Sequence, residues 1–314
     1  MKKNIFFLFV CILFSGIFIC ISFRKKDLNH QTHPDYVVYY NRVNSIDSIL
    51  RFAHDTVTAL EKYSILFSEY APKNDERIRE FETYIKLSDK LDKDFGGKES
   101  LYKLIPLYVP PRKDGIVKDP EFFRLYKKYG IDSMEVVQQI SKWKNSLNKQ
   151  LIDSFTIAVI RDQYGRGTRN IKIVRKNENK NARLLKWTLE NFGFPSVSRI
   201  GVWSNKEGVF FPMRSFITHM ATSEEYPYFK TKLLESVKSG DCTPIDYSYM
   251  VDTYYVNKGE KTYYGMGRTL QKSIDSSEID RHRRSIGLPG LKHTYKINED
   301  FEKEIRERYK NWKK

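Results

Sequence analysis

The stretch "LIDSFTIAVIRDQYGR", residues 151–166, decides how the chain is read. Leu151, Phe155 and Val159 recur every fourth residue, which places them on one face of an α-helix. Upstream the same face collects Val136, Ile140, Trp143 and Leu147, so the spacing predicts one apolar stripe from 136 to 159. One further step reaches Gln163, flanked by Asp162 and Arg166, an acid–base pair four residues apart. A polar group on a buried face needs a partner, so Gln163 marks either a hydrogen-bonded helix end or the wall of a pocket. Gly165 and Gly167 disfavour helix and equally allow an ordinary end fraying into water.

Working outward, spacings of three and four dominate. Residues 36–69 carry Val37, Tyr40, Val43, Ile46 and Leu50, then Val57, Leu60, Tyr63 and Phe67, which predicts one long or two shorter helices. A second helix is expected over about 75–92. A third follows Asp119-Pro120 and stops at Gly130. "NARLLKWTLENFGFP" (181–195) is a clear helix halted by Gly193 and Pro195. Helical spacing resumes over 208–221, and Thr222 with Glu225 fits a capping box for the next helix. "SVSRIGVWS" (196–204) suits a short strand or a loop. "YSYMVDTYYV" and "KTYYGMGR" flank "NKGE", a pattern that predicts a small β-hairpin near 250–268. Its tyrosines either line an aromatic patch or pack against helices. The expected fold class is therefore mainly α, a multi-helix bundle-like body with one small hairpin.

The N-terminus is of another kind. "IFFLFVCILFSGIFICISF" (5–23) follows two lysines and precedes "RKK", and nineteen residues at helical rise span about 28 Å, close to the hydrocarbon thickness of a bilayer. No small-residue cleavage site is present, so the segment is expected to be a transmembrane or signal-anchor helix that makes the membrane a partner. Two lysines before the segment and three basic residues directly after it favour a cytoplasmic body by a positive-inside count, whereas a short basic head before one apolar segment is the layout of an export signal, so the chain is expected to be membrane-anchored with its body extracytoplasmic. The expected organisation is 1–26 membrane segment, 27–150 N-terminal helical region, 151–296 second helical domain and 297–314 a charged C-terminal helix.

The 314 residues are 40% hydrophobic and 30% charged, which is the balance of a folded chain, and carry a net charge of +16. That charge favours anionic neighbours. Lysine is scattered along the chain and forms no tract, so a nucleic-acid partner is not expected. Cys11 and Cys20 fall in the apolar segment, which leaves Cys242 alone and excludes a disulfide scaffold. No ligand-spaced histidines or cysteines, calcium loop or phosphate-cradling glycine loop occurs, so neither metal nor cofactor is expected.

Five pieces in order carry a resemblance: "DQYGR" (162–166), "ENKNARLLKWTLENFGFP" (178–195), "ITHMA" (217–221), "VDTYYVNKGEKTYYGMG" (251–267) and "IDRHRRSIGLPGL" (279–291). Over about 155–296 the chain resembles an uncharacterised bacterial helical domain family. The resemblance implies that Asp162, Gln163, Arg166, Asn181, His219, Asp252 and Tyr264 with Gly265 share a pocket. The chain departs from the family pattern at Glu178, Thr218, Thr253 and Gly267, where other polar residues are expected.

Chemistry built on those residues gives His219 the role of base and Asp252 that of the acid orienting it. Arg166 could hold an anionic group in a fork, with Asp162, Gln163, Asn181 and Tyr264 completing the ligand contacts. Three functions fit: a cell-envelope module binding a small anionic or peptide ligand, a hydrolase-like enzyme using His219 and Asp252, or a structural domain whose polar residues satisfy one another. Cys242, at a helix-to-loop turn, suits a buried idle thiol better than a nucleophile.

Overall fold

Side-chain caps start most of the helices, and the sequence supplies them where the apolar spacing begins. A computed structural model describes residues 34–108, 120–167, 170–206, 208–266 and 276–312. Asp35 caps α1 (Tyr36–Ser48), which runs into a π-helical turn (Ile49–Ala53) ended by His54 at φ 55°. Asp55 caps α2 (Thr56–Glu69) by accepting from Thr58 N. The helix expected over 75–92 is shorter, α3 (Glu80–Lys90), because Arg79 holds a left-handed φ of 53° just ahead of it. α4 (Gly97–Tyr108), α5 (Pro120–Lys128) and α6 (Ser133–Ser146) follow.

The stripe from 136 to 159 is not one helix. Leu147 is extended (φ −69°, ψ 149°), and Asn148 accepts from Leu151 N to start α7 (Lys149–Gln163). Leu147 and Leu151 keep the four-residue rhythm across the break, which hid it from the spacing. α8 (Ile171–Asn191) is capped by Asn170, and α9 (Val197–Ile200) is a single turn. α10 (Met213–Thr218) tightens into a 3-10 turn, His219–Thr222. α11 (Tyr226–Lys238) lacks the expected capping box: its N-cap, Glu225, makes no side-chain cap bond, and Thr222 Oγ1 donates to the carbonyl of His219 and to Glu178.

The β-hairpin is overturned. Residues 244–257 form α12 (Pro244–Asn257), capped by Thr243 accepting from Asp246 N, with Pro244 in its first turn. Residues 258–266 return as an irregular loop, and no strand occurs among the described residues. Tyr247, Met250, Val251 and Tyr254 are spaced by three and four on one face of α12, while Tyr263 and Tyr264 belong to the loop that follows. Around 196–204 only one isolated antiparallel bridge, Trp203 to Phe210, is present. The chain closes with α13 (Ser276–Arg284) and α14 (Leu291–Trp312), and the boundary expected at 296/297 falls inside α14. No described helix is long and apolar enough to cross a membrane, and the apolar segment 5–23 lies outside the described residues.

The apolar core of the unit from Asp35 onward has two parts. One gathers Tyr39, Leu66, Ile85, Leu101 and Phe122 from α1 to α6, while the other gathers Phe155, Leu185, Phe216, Phe229 and Met250 from α7 to α12. In the second, Phe155 meets Phe216 edge to face at 5.6 Å, fixing α10 against α7. α14 lies back on the first part. His293 Nε2 is 2.6 Å from Asp47, Arg51 bonds both Asp47 and Asp300, and Arg79 pairs with Glu304 at 2.9 Å.

Candidate functional site

Gly165 allows α7 to turn sharply into α8. Its φ is 88°, and a Cβ there would lie 3.0 Å from the Ile173 side chain, so a residue with a side chain would push α8 away. With α8 held close, Asn181 Oδ1 accepts from Arg161 Nε at 2.8 Å and its amide donates to the Ala158 carbonyl at 3.2 Å. Asn181 is fully buried. It ties two helices together and is closed to any ligand.

At the end of α7 the expected residues converge. Arg166 Nε donates to the backbone carbonyl of Asp162 at 2.7 Å. Its Nη2 lies 3.2 Å from Asp162 Oδ1, 3.0 Å from Glu178 Oε1 on α8, and 2.9 Å from His219 Nδ1 at the end of α10. His219 Nδ1 is in turn 2.8 Å from Asp162 Oδ1, and Gln163 Nε2 donates to Asp162 Oδ2 at 2.8 Å. Thr222 reaches the other oxygen of Glu178 at 3.2 Å. Glu178 therefore belongs to the cluster, at a position that the resemblance noted only as a departure.

Hydrogen counting fixes the histidine tautomer. Arg166 Nη2 has two hydrogens, and the two carboxylates take both. Asp162 Oδ1 can then accept the His219 contact only if Nδ1 carries a proton, which leaves Nε2 of the neutral ring as a bare acceptor. Neither Nε2 of His219 nor Nη1 of Arg166 has a partner among the described residues. The two side chains are about a quarter exposed, at 25% and 27%, against 3% for Asp162. Burial alone would raise the Asp162 carboxyl, but the His219 and Arg166 contacts outweigh it and hold it below its ordinary value.

Asp252 stands elsewhere. Its Oδ1 accepts from the backbone N–H groups of Tyr263 and Tyr264, both at 2.8 Å, and its Oδ2 from Met266 N at 2.6 Å. Burial raises its pKa while these three amides and Arg283 pull the other way. The acid that orients His219 is thus Asp162, and Asp252 instead organises the loop after α12. Tyr264 serves that same loop: it is buried against Tyr247, and its carbonyl accepts from the buried Arg283 at 2.8 Å. Cys242 is fully buried, and burial pushes its thiol well above the ordinary value, which removes it as a nucleophile. No group of three or more metal-ligating side chains occurs among the described residues.

No family model, curated protein or solved structure matches the chain.

Proposed function

We propose that the chain is a binding module of the cell envelope, and that the free edges of Arg166 and His219 receive one carbonyl- or carboxyl-bearing group of a small or peptide ligand. One observation carries the reading: Arg166 and His219 each spend nitrogens on Asp162 and Glu178, keep one nitrogen unpartnered among the described residues, and have side chains about a quarter exposed. The Nη1 group donates, and Nε2 accepts when neutral and donates when protonated. Asp162 and Glu178 already balance Arg166, so a neutral peptide carbonyl enters without charge repulsion. A carboxylate enters best once His219 is protonated.

A second reading has a specific support. A histidine oriented by a buried carboxylate through Nδ1, with Nε2 free, is the arrangement of a general base. Asp162 fills that orienting role, and a hydrolase would need water as its nucleophile, since no hydroxyl or thiol bonds Nε2 among the described residues.

The full chain labelled at the histidine ring carbons separates these readings, and six histidines keep the spectrum sparse. Titration with acetamide and with acetate should shift the His219 resonance saturably. Arg166→Ala should abolish both shifts. An unmoved His219 signal with both probes ends the binding reading, and turnover of a p-nitrophenyl ester that is lost in His219→Ala would replace it with the enzyme.

A further inference from the structure

Lys73 sits where the first part of the core meets the end of α11, and its side chain is built into that joint. Gly240, just past α11, has φ 75°, and a Cβ there would lie 2.6 Å from Lys73 Cε and 2.6 Å from the Tyr36 ring. The lysine stem is therefore packed against Gly240 and Tyr36 at once. Its Nζ stands 4.3 Å from the centroid of the Tyr36 ring. The backbone around it is pinned as well. Lys73 N–H donates to the Tyr39 hydroxyl at 2.9 Å, and the next two amides, of Asn74 and Asp75, donate to the buried Glu80 at 2.7 and 2.8 Å. Lys73 is half-buried and forms no ion pair among the described residues. Burial holds its ammonium below the ordinary lysine value, against an upward pull from Asp241 and the attraction of the ring. Lys98, Lys128, Lys186 and Lys296 all shift the other way, each raised by a carboxylate that it bonds.

We propose that Lys73 is a nucleophilic amine that takes a small aldehyde as an imine. A lysine attacks through its neutral form, and desolvation raises the share of that form near neutral pH. The nitrogen lone pair adds to the aldehyde carbon, and both amine protons pass to the carbonyl oxygen, which departs as water. Amine and aldehyde thus give imine and water. Neither reactant nor product need carry charge, which suits a place where burial disfavours it. The site uses none of the residues around Arg166 and His219, so it stands whether or not they bind a ligand.

The full chain is tested with two probes read lysine by lysine by peptide mass spectrometry, with the exposed Lys238 at the end of α11 as control. Trace acetic anhydride reports the neutral amine, and the labelling midpoint of Lys73 should fall at a lower pH than that of Lys238. Propionaldehyde near neutral pH, followed by borohydride, should alkylate Lys73 roughly threefold or more above Lys238. Asp241→Asn removes the acid that pulls the ammonium upward and should lower the Lys73 midpoint further. A Lys73 midpoint at or above that of Lys238 overturns the proposal. So does a low midpoint with no excess of propionaldehyde adduct, which would leave Lys73 an enclosed amine closed to carbonyl compounds.

Discussion

Asp47 and Asp162 each stand four residues ahead of an arginine, each meets a histidine from a distant helix, and each arginine reaches a second acid. The parts are the same, but the outcomes differ. At Asp47 the cluster is more deeply enclosed: the His293 side chain is 11% exposed and the Arg51 side chain 16%, and α14 supplies both His293 and Asp300. At Asp162 the partners come from different segments, and the Arg166 and His219 side chains are 27% and 25% exposed. One cluster fastens α14 to α1, and the other keeps an accessible edge. Composition alone does not separate a fastening from a site, and neither does the count of unspent nitrogens, which is the same in both; what separates them is how far the arginine and histidine side chains reach solvent.

The largest effect should come from the closed cluster. Asp47→Ala strands Arg51 and His293 in a largely buried setting and should cost about 3–5 kcal/mol, read as a fall in the urea midpoint. If Asp162→Ala costs as much, the contrast between the two clusters fails.

Next is the buried Glu80 in the same part of the core. It accepts from the Tyr39 hydroxyl and the N–H groups of Asn74 and Asp75, yet burial and the nearby Asp75 push it up to about 7. Its folded pKa lies above the unfolded one, so the folded state holds a proton that the unfolded chain has released. Its contribution is most favourable below the ordinary glutamate value and is lost as pH rises to about 7, by roughly 3 kcal/mol. Glu80→Gln should flatten urea stability across that window, and a slope that persists would assign the proton elsewhere.

Asp162 has the opposite sign. Its lowered pKa contributes stability that is present above about pH 4 and lost as pH falls through the folded value. Asp162→Asn should cost about 1–3 kcal/mol at pH 7 and flatten the acid limb of the stability curve. The smallest change is Gln163→Ala: its side chain is exposed and only touches Asp162, so thermal unfolding should register less than about 0.5 kcal/mol. A larger loss would make Gln163 part of the fastening.

Most helices were legible because apolar spacing and end signals coincide, as where Gly193 and Pro195 follow α8, whereas the cap at Asn148 was hidden by an unbroken four-residue rhythm. The hairpin was misread because paired tyrosines around "NKGE" imitate strands, although Thr243-Pro244 with Asp246 three residues on already marks a helix start. Arg166, Asp162 and His219 were legible as a set, but the identity of the orienting acid was not. Asp252 and Asp162 are equally plausible on paper, and only the placement of backbone amides around Asp252 distinguishes them. Asp47 and His293 could not be linked at all. Each looks like surface charge on its own helix, and they lie 246 positions apart.

That separation has a consequence for biosynthesis. Asp47 and Arg51 leave the ribosome long before His293 and Asp300, by roughly 12–50 s at ordinary elongation rates. Throughout that interval Asp47 has Arg51 but lacks His293, and Arg51 lacks Asp300, so α1 stands without the contacts that α14 supplies. Docking of α14 is then the step that closes the Asp47 cluster. Chains stalled before residue 290 and after the final helix has emerged should therefore differ sharply in resistance to pulse proteolysis at α1.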